Sequence, residues 1–175
     1  NDTPDEDFRL AARMGAIINL DSADMVDCLS RALGGALPET VCLRLNPGGS
    51  FEVPDNPAGR PAESKFGMTE EQLFDSYRRL RDAGVTEFGL HSFLLSNAQG
   101  NEYYPALARL LFGLAVRVRD ELGIAISFVD LSGGVGVAYR ETDAEADIAA
   151  IGAGVRVAYE DILVPAGMGD IAIFA

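Results

Sequence analysis

"GIAISFVDLSGGVGVAYR" (Gly123–Arg140) is the stretch on which the reading of the chain turns. Ile124, Ile126, Phe128 and Val129 form a short apolar run rich in β-branched and aromatic residues, as in a buried strand. Asp130 and Ser132 then turn the chain polar, and Gly133, Gly134 and Gly136 leave it without side chains. A strand that ends on glycines ahead of a helical pattern is the junction of a parallel β-α unit. From these residues alone the stretch has two readings, a backbone cradle for a phosphate or a tight corner in the chain. It is not a Walker loop, because the Lys–Ser/Thr ending is missing, and no helix opens at once as G-x-G-x-x-G would require.

The same alternation runs outward in both directions. Upstream, "AIINL" (16–20), "VCLRLN" (41–46) and "EFGLHSF" (87–93) read as strands, and downstream "DIAIFA" (170–175) reads as another. Between them lie helical patterns. Met25, Val26, Leu29 and Leu33 mark one, and Leu73, Phe74, Tyr77 and Leu80 a second, opened by a Thr69/Gln72 capping box. Leu107, Leu110, Leu111, Leu114 and Val118 mark a third. Ile148, Ile151, Val155, Tyr159 and Ile162 mark a fourth, behind a Thr142/Glu145 box. A first helix is expected from Thr3 as cap with Pro4 at its first position and Glu6 reaching back, stopped by Gly15. Residues 47–64, with four prolines and three glycines, read as an irregular loop of a length that is often functional. Five strands alternating with helices demand a mostly parallel sheet. Either a complete doubly wound domain or part of a larger barrel fits this order.

The 175 residues carry a formal net charge of −13 and are 48% hydrophobic, which suits one globular domain with a substantial core. Such acidity argues against nucleic acid or an anionic membrane surface as a partner, while leaving room for a small anionic ligand held by local donors. No apolar run reaches membrane-spanning length and no signal peptide is evident, so a cytoplasmic protein is expected. Cys28 and Cys42 read as reduced packing residues. Thirteen arginines stand beside one lysine, Lys65, and one histidine, His91, so amine or imidazole chemistry has a single candidate each. One His and two dispersed Cys make no metal-ligand cluster.

Parallel α/β folds place their chemistry at the carboxyl ends of strands, and there the sequence turns polar. Asn19 and Asp21, Arg44 and Asn46, His91, Ser92 and Ser96, and Asp130 and Ser132 follow successive strands. Arg44 shares a strand face with Cys42 and Asn46. A guanidinium there needs an anion, either a neighbouring carboxylate or a ligand. His91 reads either as a hydrogen-bonded core residue or as a functional imidazole. A Ser92–His91–Asp130 set is conceivable, although no G-x-S-x-G elbow is present.

Taken together, "NLDSADMVDCL", "LRLNPGG", "ESKFGM", "GLHSFLLSN" and "DLSGGVGVAY" resemble the barrel domain of the pyridoxal-phosphate-dependent diaminopimelate decarboxylases. That family shares its alanine-racemase-like barrel with the ornithine and arginine decarboxylases. The likeness runs from about residue 15 to the last strand, and "LRLNPG", a long loop and "ESKFG" point to the diaminopimelate branch. It implies an incomplete (β/α)8 TIM-type barrel: one partial domain over residues 1–175, with the first strands and a C-terminal β domain absent.

The resemblance also implies roles. Gly133, Gly134 and Gly136 would wrap the phosphate of pyridoxal phosphate, with Ser132 in place of the first of the family's three glycines. Ser96 matches a serine near that phosphate, and Arg44 an arginine beneath the cofactor ring. In the family's H-x-H-x-G-S run, here "HSFLLS", His91 matches the first histidine, and Phe93 replaces the one that stacks on the ring. The Schiff-base lysine is expected upstream of this chain, since Lys65 is not at that position. The chain alone would therefore bind cofactor weakly or not at all and would be inactive, with no catalytic residue of its own. The family reaction takes meso-diaminopimelate to L-lysine and carbon dioxide in lysine biosynthesis, in a homodimer acting on a small amino acid. A polyamine-type decarboxylase, a flavodoxin-like module gripping a nucleotide or flavin phosphate, and a non-catalytic homologue are the alternatives.

Overall fold

A computed structural model of the chain describes residues 3–51, 63–140 and 145–175. Among the described residues five α-helices and five strands alternate: α1 (Asp5–Arg13), β1 (Ile18–Leu20), α2 (Met25–Ala32), β2 (Thr40–Arg44), α3 (Glu70–Asp82), β3 (Glu87–His91), α4 (Tyr103–Leu122), β4 (Ile126–Asp130), α5 (Ile148–Ile162) and β5 (Ala172–Phe174).

All strand pairs are parallel and the order across the sheet is β1-β2-β3-β4-β5. This order separates the two folds left open by the sequence. A doubly wound sheet reverses direction at a switch point and carries helices on both faces. A sheet that adds each new strand beside the last, through crossovers of one hand, keeps its helices on one face and curves toward a barrel. The core obeys the second rule. Ile18, Leu20, Val41, Leu43, Phe88, Leu90, Ile126 and Val129 pack into one continuous cluster with the inner faces of the helices. The alternate residues Asn19, Cys42, Gly89, His91, Phe128 and Asp130 stay outside it, on the opposite face of the sheet. There the Phe128 ring lies across Gly89, where an added Cβ would fall 2.1 Å from Cζ, and stacks on Phe174 at 4.8 Å between centroids.

Local signals account for most helix ends. Thr69 and Gln72 exchange both hydrogen bonds of the capping box that opens α3. Gly123, at φ +67°, closes α4 in the left-handed conformation that glycine adopts without penalty. Leu107, Leu111, Leu114 and Val118 bury the α4 stripe, with Leu110 packed at its margin.

Two cap expectations are corrected. α1 begins at Asp5 with the extended Pro4 as its N-cap, and Thr3 makes no capping bond. The fixed proline φ is equally compatible with the cap position, one residue later than expected, and Asp5, Glu6 and Asp7 favour the positive end of the helix dipole. α5 is opened by Asp147, whose side chain accepts from the Ala150 amide at 3.0 Å, rather than by the Thr142/Glu145 pair. Thr142 lies outside the described residues, as does most of the expected 47–64 loop. Ile148 at the start of α5 is exposed, so the buried stripe begins at Ile151.

Candidate functional site

The strand register draws the polar residues into one row. Arg44 pairs with His91, His91 with Asp130 and Asp130 with Phe174, all at the carboxyl end of the sheet. Asn19 and Asp21 end β1 beside them. Each lies on the sheet face away from the helices or just past the strand end, because strand alternation puts every second side chain there.

Arg44 is held by geometry that its side chain can satisfy only in part. Its Nη1 donates to Asp21 Oδ1 at 2.7 Å and its Nη2 to the Phe93 carbonyl at 2.7 Å. The guanidinium lies over the rings of Phe66 and Phe93, 5.3 and 5.8 Å from their centroids. Its Nε and the second oxygen of Asp21 are buried without a partner among the described residues. The carboxylate reading of Arg44 is thus the observed one, with polar capacity left over at the rim.

His91 is buried and held at both nitrogens. Asn19 Nδ2 stands 2.6 Å from Nδ1, and Ser132 Oγ stands 2.6 Å from Nε2. Burial holds the imidazole below its ordinary range. Asp130 and Asp21 oppose that shift, while Arg44 reinforces it. The conceivable Ser92–His91–Asp130 set does not form: Ser92 is fully buried and donates to the Leu45 carbonyl at 3.0 Å.

The glycine stretch has an ordered pattern of spent and unspent amides. Leu131 N–H donates to the Phe174 carbonyl, Ser132 N–H to Asp130 Oδ1, Gly136 N–H to the Ala98 carbonyl, and Val137 N–H to Asn97 Oδ1. Between them, the amides of Gly133, Gly134 and Val135 donate to no described residue. The glycines also differ in task. Gly133 opens on empty space, with nothing within 4 Å of an added Cβ. Gly134, at φ +98°, runs against Leu95, Ser96 and the Phe93 ring. Gly136 is a packing glycine, since a Cβ there would fall 2.6 Å from the Ala98 carbonyl oxygen, and its amide is committed. Ser132 is left-handed at φ +61°, at a cost of roughly 1–2 kcal/mol for a residue with a Cβ.

Of the residues singled out in the sequence, Arg44, His91, Phe93, Ser96, Ser132, Gly133 and Gly134 therefore gather at one end of the sheet. Gly136 anchors the loop to the segment after β3. Two contributors escaped the sequence. Tyr104 donates from the start of α4 to the Gly133 carbonyl at 3.1 Å, and Tyr103 accepts from the Leu94 amide at 3.3 Å. Nothing in a tyrosine pair at a helix start signals that it will tie down two separate loops.

The family model for the pyridoxal-binding domain of pyridoxal-dependent decarboxylases matches residues 3–174. The chain belongs to that family. Among curated relatives, the diaminopimelate decarboxylase of Thermoplasma acidophilum is 29% identical, covering 99% of the chain and 44% of its own length. Protein TabA of Pseudomonas amygdali pv. tabaci is also 29% identical, covering 86% of the chain and 34% of its own length. The chain thus spans less than half the length of these relatives. In fold it resembles the M. jannaschii diaminopimelate decarboxylase, solved in co-complex with L-lysine. The TM-score is 0.82 at 18% identity, over 99% of this chain and 41% of that one. The Helicobacter pylori enzyme, complexed with L-lysine, gives 0.78 at 18% identity, over 97% and 42%. These likenesses identify the five-stranded arc as part of a TIM-type barrel.

A phosphate group fits the residues present. Three adjacent amides that donate to no described residue, beside a glycine with open space where a side chain would go, leave backbone donors of the kind that hold an anion.

Proposed function

We propose that the protein carrying this chain is a diaminopimelate decarboxylase, and that these residues form the rim of its pyridoxal phosphate site. The carrying observation is the run of unspent amides at Gly133, Gly134 and Val135, at the same end of the sheet as His91 and Arg44. The curated relatives that bear the diaminopimelate decarboxylase name support this choice of substrate.

Each residue has a task that follows from its place. The 133–135 amides hold the phosphate, and Ser96, whose Cα lies against Gly134, flanks it. Arg44, fixed by Asp21 and by the Phe93 carbonyl, would set a positive charge beside the cofactor and ties the carboxyl end of β2 to the segments after β1 and β3. Phe93, more than a third exposed, offers an aromatic face where the family usually places a histidine. His91, neutral and held at both nitrogens, braces β1 against the loop rather than transferring protons. When bound, the cofactor supplies the electron sink that makes loss of carbon dioxide feasible. The chain's contribution is to bind it, orient it and keep water off one side.

The test is carbon dioxide release by the protein expressed from its whole reading frame, with pyridoxal phosphate added, offered meso-diaminopimelate, ornithine, arginine and L-lysine in turn. Release from meso-diaminopimelate with formation of L-lysine is expected. Release from another of these substrates alone would overturn the substrate assignment, and release from none would overturn the decarboxylase reading.

A further inference from the structure

Ser132 differs from its neighbours in what it can give a ligand. It opens the loop in a left-handed conformation that a glycine would adopt without strain. Its amide is engaged by Asp130 Oδ1 at 2.8 Å, so it cannot join the three unspent amides that follow. What remains is its hydroxyl, and the direction of that hydroxyl is set from a distance. Asn19 approaches His91 Nδ1 with its amide nitrogen, which can only donate. Nδ1 is therefore the acceptor, and the proton of the neutral ring sits on Nε2. Nε2–H donates in turn to Ser132 Oγ at 2.6 Å. The oxygen accepts on that side, so the hydroxyl proton is turned elsewhere, and no described residue accepts it. Beside it, Gly133 opens on empty space.

We infer that the Ser132 hydroxyl is a fourth donor to the anion held by the 133–135 amides, aimed by the one-way relay from Asn19 through His91. This inference rests on the reading of the loop as a phosphate cradle. It gives the lone histidine a positioning role that does not depend on stacking, and it gives a reason for a side chain at a position that strains it. Burial supports the neutral ring that the relay requires, with Asp130, Asp21 and Arg44 as the charged groups facing it.

Pyridoxamine 5′-phosphate tests this directly, because it has no aldehyde to react with an amine. Calorimetry on the protein from the whole reading frame, with pyridoxamine as the phosphate-free control, should show tighter binding of the phosphate ester by the wild type. Ser132→Ala and Ser132→Gly should each weaken the ester roughly tenfold and leave pyridoxamine unchanged. The glycine variant relieves the left-handed strain, so a melting temperature at or above wild type excludes misfolding as the cause. Weakening of both ligands alike, or of neither, overturns the donor role while leaving the cradle in place. A wild type that does not prefer the ester overturns both. In the protein from the whole reading frame, ¹⁵N spectra of the His91 ring, assigned by the signal lost in His91→Gln, report the relay without ligand. The Nε2–H tautomer is expected, and an Nδ1–H tautomer overturns the direction of the relay.

Discussion

Arg44 and Asp21 are each about six-sevenths buried as side chains, at 15% and 13% exposure, and that makes their pairing strong in one sense only. Two charges taken out of water gain little over a well-packed apolar pair, but removing one partner strands the other. Arg44→Met should therefore cost about 3–5 kcal/mol in urea unfolding, while an added Asp21→Asn substitution should restore a large part of it. His91 yields a prediction with a definite sign. Its folded-state affinity for protons is depressed from the ordinary value of 6.5, so the unfolded chain binds a proton that the folded chain refuses. Stability should be fully expressed above pH 6.5 and should decline as the pH falls below it, levelling once the depressed folded value is passed. Chemical denaturation at a series of pH values should show that slope in the wild type and lose it in His91→Gln. Both residues were visible in the sequence as the sole histidine and the lone arginine on a strand. Their partners were visible only as polar strand ends, because the register that makes Asn19 and Asp21 neighbours of β2 and β3 is a property of the sheet.

Within the loop after β4, glycines that look alike in sequence do different things. Gly133 has open space where a side chain would go, so Gly133→Ala should leave folding stability within about 0.5 kcal/mol of wild type. The same methyl should weaken pyridoxamine phosphate binding by intruding on the cradle. Gly136 meets the Ala98 backbone instead, and backbone cannot swing aside. Gly136→Ala should cost about 1–3 kcal/mol in thermal or chemical unfolding. Strand, helix and loop types were readable because apolar periodicity and turn residues are local signals. The division of labour among the glycines was not, since it depends on residues 95–98, some forty positions away. The α1 start moved by one residue because the fixed proline φ suits the cap position as well as the first helical one, and the sequence pattern does not choose between them.

Across the sheet, burial falls toward β5, while Leu20 on β1 is as buried as the residues of the central strands. Leu43, Leu90 and Val129 on β2, β3 and β4 are completely buried, whereas Ala172 and Phe174 on β5 are exposed. Amide hydrogen exchange should accordingly be slowest in β2, β3 and β4, which are paired on both sides, and fastest in β5. Finding β5 among the slowest would mean that another surface covers it in solution. The strand order was the one feature of architecture that alternation could not supply, since a doubly wound sheet and a barrel arc share the same string of elements. That order has a consequence for how the protein is made. From β2 to β5, each strand leaves the ribosome with the neighbour it pairs with already synthesised and waiting, so pairing can advance in step with translation. A sheet with a switch point would instead have to return to its first strand part-way through synthesis, whereas within this arc each addition is made at the growing edge.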